Sequence, residues 1–297
     1  MQHLLAGSRE SLTKKASYLR VVSGIIADCM KNGGFRALYR GQGIEFAGVR
    51  EYLRGDDVRS IDWNVTARMG KPFVKMFDEE RELQMFLIVD RSASMFTGSK
   101  GKVKYESAAE AAAVLAIAAE LNESPVGAVF FDGEITFKSR PQAGSLQTMH
   151  ILTRLDEVED INKGSVLGNA ISGAAKMLKK HSLVFIISDF RTQGWEDSFK
   201  LLSQKHDVTA IRITDSSELE LPEMGSVPFT DNETGSRLVL PTNNSEFRSA
   251  WRDAFRQRTM RLSEFCAKHG SGFVSISTDE DVVRLLSRFF MAKGQSK

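Results

Sequence analysis

The chain has 297 residues, 42% of them hydrophobic and 26% charged, which is enough apolar material to bury a full core, either in one large domain or in a core with an appendage. Its 40 basic side chains against 38 acidic ones leave a formal net charge of +2, without the concentrated basic stripe that nucleic acid demands. Cys29 and Cys266 lie far apart in helical contexts and read as reduced thiols rather than as a disulfide framework.

The most apolar stretch, residues 108–121, carries Glu110 and Glu120 and falls short of the ~20 apolar residues of a membrane helix. Leu4 and Leu5 give way at once to Ser8, Arg9 and Glu10, which is unlike a signal peptide. The expectation is a cytoplasmic protein with no membrane span.

Leu12, Leu19, Val22, Ile26 and Met30 recur at helical spacing and predict a helix over 10–31, stopped by Gly33-Gly34. Residues 39–71 are rich in glycine and charge, with a helix expected near 58–67. Residues 72–80 read as a strand leading into a charged turn, 78–82. The pattern then changes to alternating strands and helices. An apolar run of strand length, 83–89, is followed by a long Ala-rich helix, 103–121. Strands 126–131 and 135–139 form a hairpin around Asp132-Gly133, a strong turn signal. Helices are expected at 145–155 and 167–180, a buried strand at 183–188, a helix at 195–204 and a strand at 208–213.

Between 221 and 241 the alternation is interrupted by an inserted β-hairpin that turns at Asn232-Glu233-Thr234-Gly235. A long amphipathic helix (245–269), a last strand (273–277), a closing helix (279–290) and a frayed tail (292–297) complete the chain. Buried strands with intervening helices imply an α/β fold, a doubly wound and mostly parallel sheet with helices on both faces. Residues 1–80 form an N-terminal helical and extended extension, and 81–292 the core domain.

The strand Phe86-Leu87-Ile88-Val89 ends in Asp90, then Ser92 and Ser94. In an open parallel sheet, ligands gather beyond the carboxyl ends of the strands. Alternate residues of an extended loop share a side, so Asp-x-Ser-x-Ser can aim one carboxylate and two hydroxyls at one spot. Oxygen ligands with few charges and room for water suit a hard cation, Mg²⁺ or else Mn²⁺ or Ca²⁺. Alone, the pattern is equally a cap for the next helix. A second apolar strand ends in Asp189, and Lys163-Gly164-Ser165 brings a further hydroxyl before the helix at 167. Ser165 could instead cap that helix, and Asp189 the turn that follows it.

Asp90, Ser92, Ser94, Ser165 and Asp189 together resemble the metal-ion-dependent adhesion site of von Willebrand factor A domains. Ser165 stands where such sites usually have Thr. Upstream, Gly43-Ile44-Glu45-Phe46-Ala47-Gly48-Val49-Arg50-Glu51-Tyr52, Gly55-Asp56-Asp57-Val58-Arg59-Ser60-Ile61-Asp62-Trp63 and Ala67-Arg68 resemble the bacterial family known as domain of unknown function 58. Residues 77–83 and Ser277-Thr278-Asp279-Glu280-Asp281 continue the likeness. The resemblance implies a von Willebrand factor A-type fold, a metal at the five residues, and a MoxR-type AAA+ ATPase or a client protein as partner, engaged through an acidic residue. In the upstream motif, Arg50, Arg59 and Arg68 are expected to pair with Glu51, Asp57 and Asp62 over a buried Trp63, as a structural brace or a docking surface.

Other chemistries fit less well. Gly41-Gln42-Gly43 lacks the third glycine of a dinucleotide fingerprint, and 98–102, read as an exposed mobile basic loop, is too short for a phosphate loop. The five histidines show no metal-ligand spacing and read as surface or satisfied side chains. A phosphohydrolase of the haloacid dehalogenase type needs a second Asp two residues after the first, where this chain has Ser92. The expectation is therefore a binding module and not an enzyme, with a metal-free scaffold of the same fold as the alternative.

Overall fold

The computed structural model describes residues 2–3, 23–28, 30, 44–79, 83–99, 101–158, 164–230 and 237–295. Its centre is a six-stranded sheet of β4 (Gln84–Asp90), β5 (Val126–Phe131), β6 (Ile135–Gln142), β8 (Ser182–Ser188), β9 (Asp207–Thr214) and β12 (Gly272–Ser277). The spatial order is β12-β9-β8-β4-β5-β6. All neighbours are parallel except β6, which folds back antiparallel on β5 at one edge.

The strands read as unbroken apolar runs because both faces are covered. On one face Met85, Leu87, Val89, Phe130, Phe185, Ile187, Ile211 and Ile213 pack under α2 (Lys104–Leu121), α3 (Ser145–Asp156) and α8 (Val282–Gln295). On the other, Phe86, Ile88, Val129, Val184, Ile186 and Ala210 pack under α4 (Leu167–Met177), α5 (Glu196–Ser203) and α7 (Ser245–Lys268). Helix α2 is buried nearly all round, and its alanines let it lie close to the strands.

Three smaller pairings sit outside the sheet. β2 (Ile44–Glu51) and β3 (Phe73–Glu79) form an antiparallel ribbon with a bulge between Phe46 and Gly48. β10 (Ser226–Thr230) and β11 (Arg237–Pro241) form the expected hairpin, although its turn lies outside the described residues. β1 (Gln2–His3) pairs with β7 (Glu157–Val158).

Several expectations need correction. The helix expected near 58–67 is two pieces, a short 3-10 turn at Val58–Ser60 and α1 (Trp63–Met69), because Asp57 caps the first and Asp62 the second. Arg50 makes a two-pronged ion pair with Asp56 at 2.7 Å for each bond, so it does not pair with Glu51, which instead holds Lys71. Trp63 is 66% exposed among the described residues, not packed beneath the charged pairs. The helix over 10–31 is seen only at 23–28 and 30, where Ile26 and Met30 are buried in the core; the rest lies outside the described residues, as does Cys29. The helix from 167 stops at Met177, with Leu178 as cap, rather than at 180. The tail is not frayed at 292, since α8 runs on to Gln295. Ser99 anchors the loop at 98–102 by bonds to Asp215 and Ser216, so the loop is not free, although Lys100 is not described. His206 is buried with its Nδ1 unpartnered among the described residues, in place of the surface or satisfied histidine expected.

Gly127 shows how closely the antiparallel edge is fitted. The β5–β6 register shifts between Val126 and Ala128, and a Cβ at Gly127 would lie 2.7–2.9 Å from the backbone of Pro141, Ser139 and Arg140. A side chain there must push backbone aside. Gly127→Ala is therefore expected to lower stability by about 1–3 kcal/mol, the usual range for overpacking. Urea unfolding of the two proteins checks this, and an unchanged midpoint would show that the edge yields freely.

Candidate metal centre

The parallel strands all end on one side of the sheet, and their register sets the site. Val89 lies opposite Ile187 in the β4–β8 pair, so the next residues, Asp90 and Ser188, stand side by side. The Ser188 hydroxyl donates to Asp90 Oδ2 at 2.6 Å and accepts from the Phe190 amide at 3.0 Å. Asp90 Oδ1 accepts from the Ser92 amide at 2.8 Å, so the carboxylate folds its own loop as well as facing the site. The Ser92 and Ser94 hydroxyls are 3.2 Å apart. Asp90, Ser92, Ser94, Ser188 and Asp189 are all buried.

Asp189 sits just beyond β8, where the chain turns sharply: Phe190 has φ 53°, the left-handed region that a bulky residue seldom adopts. The turn is held by the Arg191 amide, which donates to Asp189 Oδ1 at 3.2 Å. The other oxygen, Oδ2, accepts from Lys104 Nζ at 2.7 Å, and the same ammonium donates to Glu218 Oε1 at 2.8 Å. Lys104 is completely buried. Glu218 lies on α6 (Ser216–Leu219), a single turn capped by Asp215.

Ser165 arrives from a different direction. The amide of Val166 donates to the Asp132 carbonyl at 2.8 Å, which pins this loop to the end of β5. The Thr192 hydroxyl reaches the Ser165 carbonyl at 3.5 Å, tying it to the loop that follows Asp189. Val166, not Ser165, occupies the cap position of α4, and the Ser165 hydroxyl is buried without a hydrogen-bond partner among the described residues. A helix-capping role is therefore not what this side chain performs.

The electrostatics follow from burial. Desolvation first, and then the neighbouring charge of Asp189, push the Asp90 carboxyl up to about 7, against the pull of hydrogen bonds from Ser188 and Ser92. Burial would raise Asp189 as well. Lys104, by charge and by hydrogen bond, outweighs it with help from Arg191 and Ser94, and holds that carboxyl below the usual range. Two adjacent carboxylates thus differ, because only one has an ammonium on it.

The family model described as "Protein of unknown function DUF58" matches residues 48–261, a span that contains the upstream motif from Gly48 onward and this site. The chain belongs to that family. Among its relatives is the uncharacterized protein Rv1480 of Mycobacterium tuberculosis, 29% identical over 273 residues, covering 90% of this chain and 84% of the other. Solved structures similar to it include an aerotolerance-related membrane protein from Bacteroides fragilis, 17% identical, covering 70% of this chain and 96% of that one at a TM-score of 0.49. The SpRpn10 VWA domain is similar over 70% of this chain and 93% of that one, at 11% identity and a TM-score of 0.40. The DUF58 chain has an α/β, doubly wound fold, with a six-stranded, mostly parallel sheet between helices. Among the described residues no helix is long and apolar enough to cross a membrane.

The DUF58 residues fit a hard divalent cation in their chemistry. Asp90, Ser92 and Ser94 offer oxygens from one buried knot, and the Ser165 hydroxyl has no partner among the described residues to give up. Leaving a buried hydroxyl unmade costs about 1–3 kcal/mol, which a ligand would recover. Among the described residues no group of three or more His, Cys, Asp or Glu could hold a metal, so such a centre would rest on hydroxyls and at most two carboxylates. The sequence reading missed Ser188, Lys104 and Glu218. Ser188 carried a signal, being the hydroxyl that ends an apolar strand. Lys104 and Glu218 did not, because they lie 85 and 29 residues from Asp189 along the chain.

A pH dependence follows for the metal-free protein. An unfolded Asp titrates near ~3.9. With a folded value of about 7, native Asp90 keeps a proton that the unfolded chain has released, so stability falls as pH rises between about 4 and 7. One full proton is worth up to ~1.4 kcal/mol per pH unit. Urea unfolding in the presence of a chelator at several pH values in that window should show a steeper decline for wild type than for Asp90→Asn. Identical slopes would contradict it.

Proposed function

We propose that this chain is a metal-dependent protein-binding module that captures a carboxylate of a partner protein through a divalent cation at the sheet edge. Asp90, Ser92, Ser94 and Ser165 would hold the ion, with Asp189 beside it; Mg²⁺ is the first candidate, Mn²⁺ or Ca²⁺ the alternatives. The bound ion would supply an electrophilic coordination position for an incoming carboxylate. The observation that carries this reading is the Ser165 hydroxyl, buried and unpartnered among the described residues in a loop tied to the one after Asp189. Hydroxyl ligands are neutral, so with Asp90 as its one directly held carboxylate the ion keeps a net positive charge, which favours an anionic partner.

Binding rather than catalysis is supported by the hydrogen bonds themselves. The Ser92 and Ser94 hydroxyls contact each other, and the residue two after Asp90 is a serine with no acid to offer a leaving group. Family resemblance supports a MoxR-type AAA+ ATPase as partner, with the chain acting as its adaptor in the assembly or maturation of protein complexes. We place the module in the cytoplasm, without a membrane span.

A second reading is a metal-free scaffold of the same fold. It is favoured by one observation, the Lys104 ammonium already seated on Asp189. A pull-down with the tagged chain and a MoxR-type ATPase decides between them. Capture is expected in Mg²⁺, to fall at least ~10-fold with Asp90→Ala or Ser92→Ala, as the loss of a charge-assisted contact implies, and to vanish in EDTA. Capture that persists in EDTA would overturn the metal-dependent reading.

A further inference from the structure

Lysine is almost never fully buried without partners, and this one is placed against the grain of its own helix. Lys104 is the first residue of α2, where the helix end carries partial positive charge and disfavours a cation. What keeps it there is two carboxylates from distant parts of the chain, Asp189 at 2.7 Å and Glu218 at 2.8 Å. The ammonium therefore does for Asp189 what a divalent ion beside Asp90 would do. Both Asp189 oxygens are engaged, Oδ2 by Lys104 and Oδ1 by the Arg191 amide. A second cation near Asp189 would have to contend with the first at close quarters and low dielectric, where repulsion between like charges is large.

We infer that Lys104 is a resident rival of the divalent cation: it occupies Asp189 in the metal-free chain and sets how tightly the site can hold an ion. Glu218 is the other arm of this device. Because it also binds the ammonium, it gives Lys104 an alternative place when the cation claims Asp189. Lys104 and Glu218 are thus positioning residues for the metal rather than ligands to it. Glu218 belongs to α6, whose cap Asp215 also holds the Ser99 amide and the Thr278 hydroxyl, so the arm is tied to two further segments of the edge. The inference rests on the metal reading above, but it makes opposite demands on two variants.

The test is calorimetric titration of Mn²⁺, or Mg²⁺, into the full chain and into Lys104→Met, Glu218→Gln and Asp90→Ala, each checked for folding by circular dichroism. Lys104→Met should bind about tenfold more tightly or better, because one charge of repulsion is removed and Asp189 is freed. The same variant should show a larger rise in thermal midpoint on adding metal than wild type does. Glu218→Gln should bind several-fold more weakly, since Lys104 then has Asp189 as its one carboxylate. Removing a buried cation from between two carboxylates can prevent folding, and in that event Glu218→Gln carries the test alone.

Unchanged or weaker binding by a folded Lys104→Met, or unchanged or tighter binding by Glu218→Gln, overturns the inference and leaves Lys104 a purely structural prop. Failure of the metal reading looks different: wild type and Asp90→Ala would bind alike. If wild type gives no saturable heat while Lys104→Met does, the rivalry stands and the natural chain is the metal-free scaffold.

Discussion

A carboxylate cannot stay ionised and unpaired at a dry sheet edge without a cost of several kcal/mol. Here four of them follow one another across the carboxyl ends of the strands: Asp90 at the end of β4, Asp132 after β5, Asp189 after β8 and Asp215 after β9, all buried. Much of the local architecture is a set of answers to that one constraint. Asp132 bonds the Glu134 amide and closes the β5–β6 turn. Asp215 accepts from Ser99, Ser217 and Thr278, and these bonds hold it below the ordinary carboxylate range against its burial. Asp189 takes the Lys104 ammonium. Asp90 receives hydrogen bonds but no cationic side chain among the described residues, and burial and the neighbouring Asp189 raise its proton affinity.

That unevenness links packing to chemistry. Covering both faces of the sheet with helices excludes water from the strand ends, and the exclusion makes an uncompensated charge there matter. The backbone is bent to serve the same place, with Phe190 in the left-handed region just after Asp189 and its ring against Trp195 at 5.3 Å between centroids. Strain of this sort costs of order 1–3 kcal/mol and persists where surrounding contacts over-determine it.

The fold was largely legible in the sequence. The run Phe86-Leu87-Ile88-Val89 and the run from Leu183 to Ser188 announce strands covered on both faces, and the Asp132-Gly133 turn marks the antiparallel edge correctly. Of the candidate site, the part legible in the sequence was the part at strand ends, where Asp90, Ser92, Ser94 and Asp189 are neighbours in space; Ser165 comes from a separate loop. Charge pairing was not legible. Arg50 chose Asp56 over its neighbour Glu51 because a turn brings the Asp56 carboxylate round to meet the guanidinium with both oxygens, and sequence distance says nothing of that geometry. Trp63 looked like core by residue type and is exposed among the described residues. Lys104 was hidden most thoroughly, since a lysine opening a helix ordinarily reads as a solvated side chain, and its partners come from the loop after β8 and from α6.

The most direct measurement is a crystal structure of the full chain soaked in Mn²⁺, read by the anomalous signal of the ion. The expected result is a single peak at the carboxyl edge, bonded to Asp90 and to serine hydroxyls that include Ser165, with the Lys104 ammonium drawn from Asp189 toward Glu218. A map with no peak there, and with Lys104 still seated on Asp189, would contradict a metal centre in this protein.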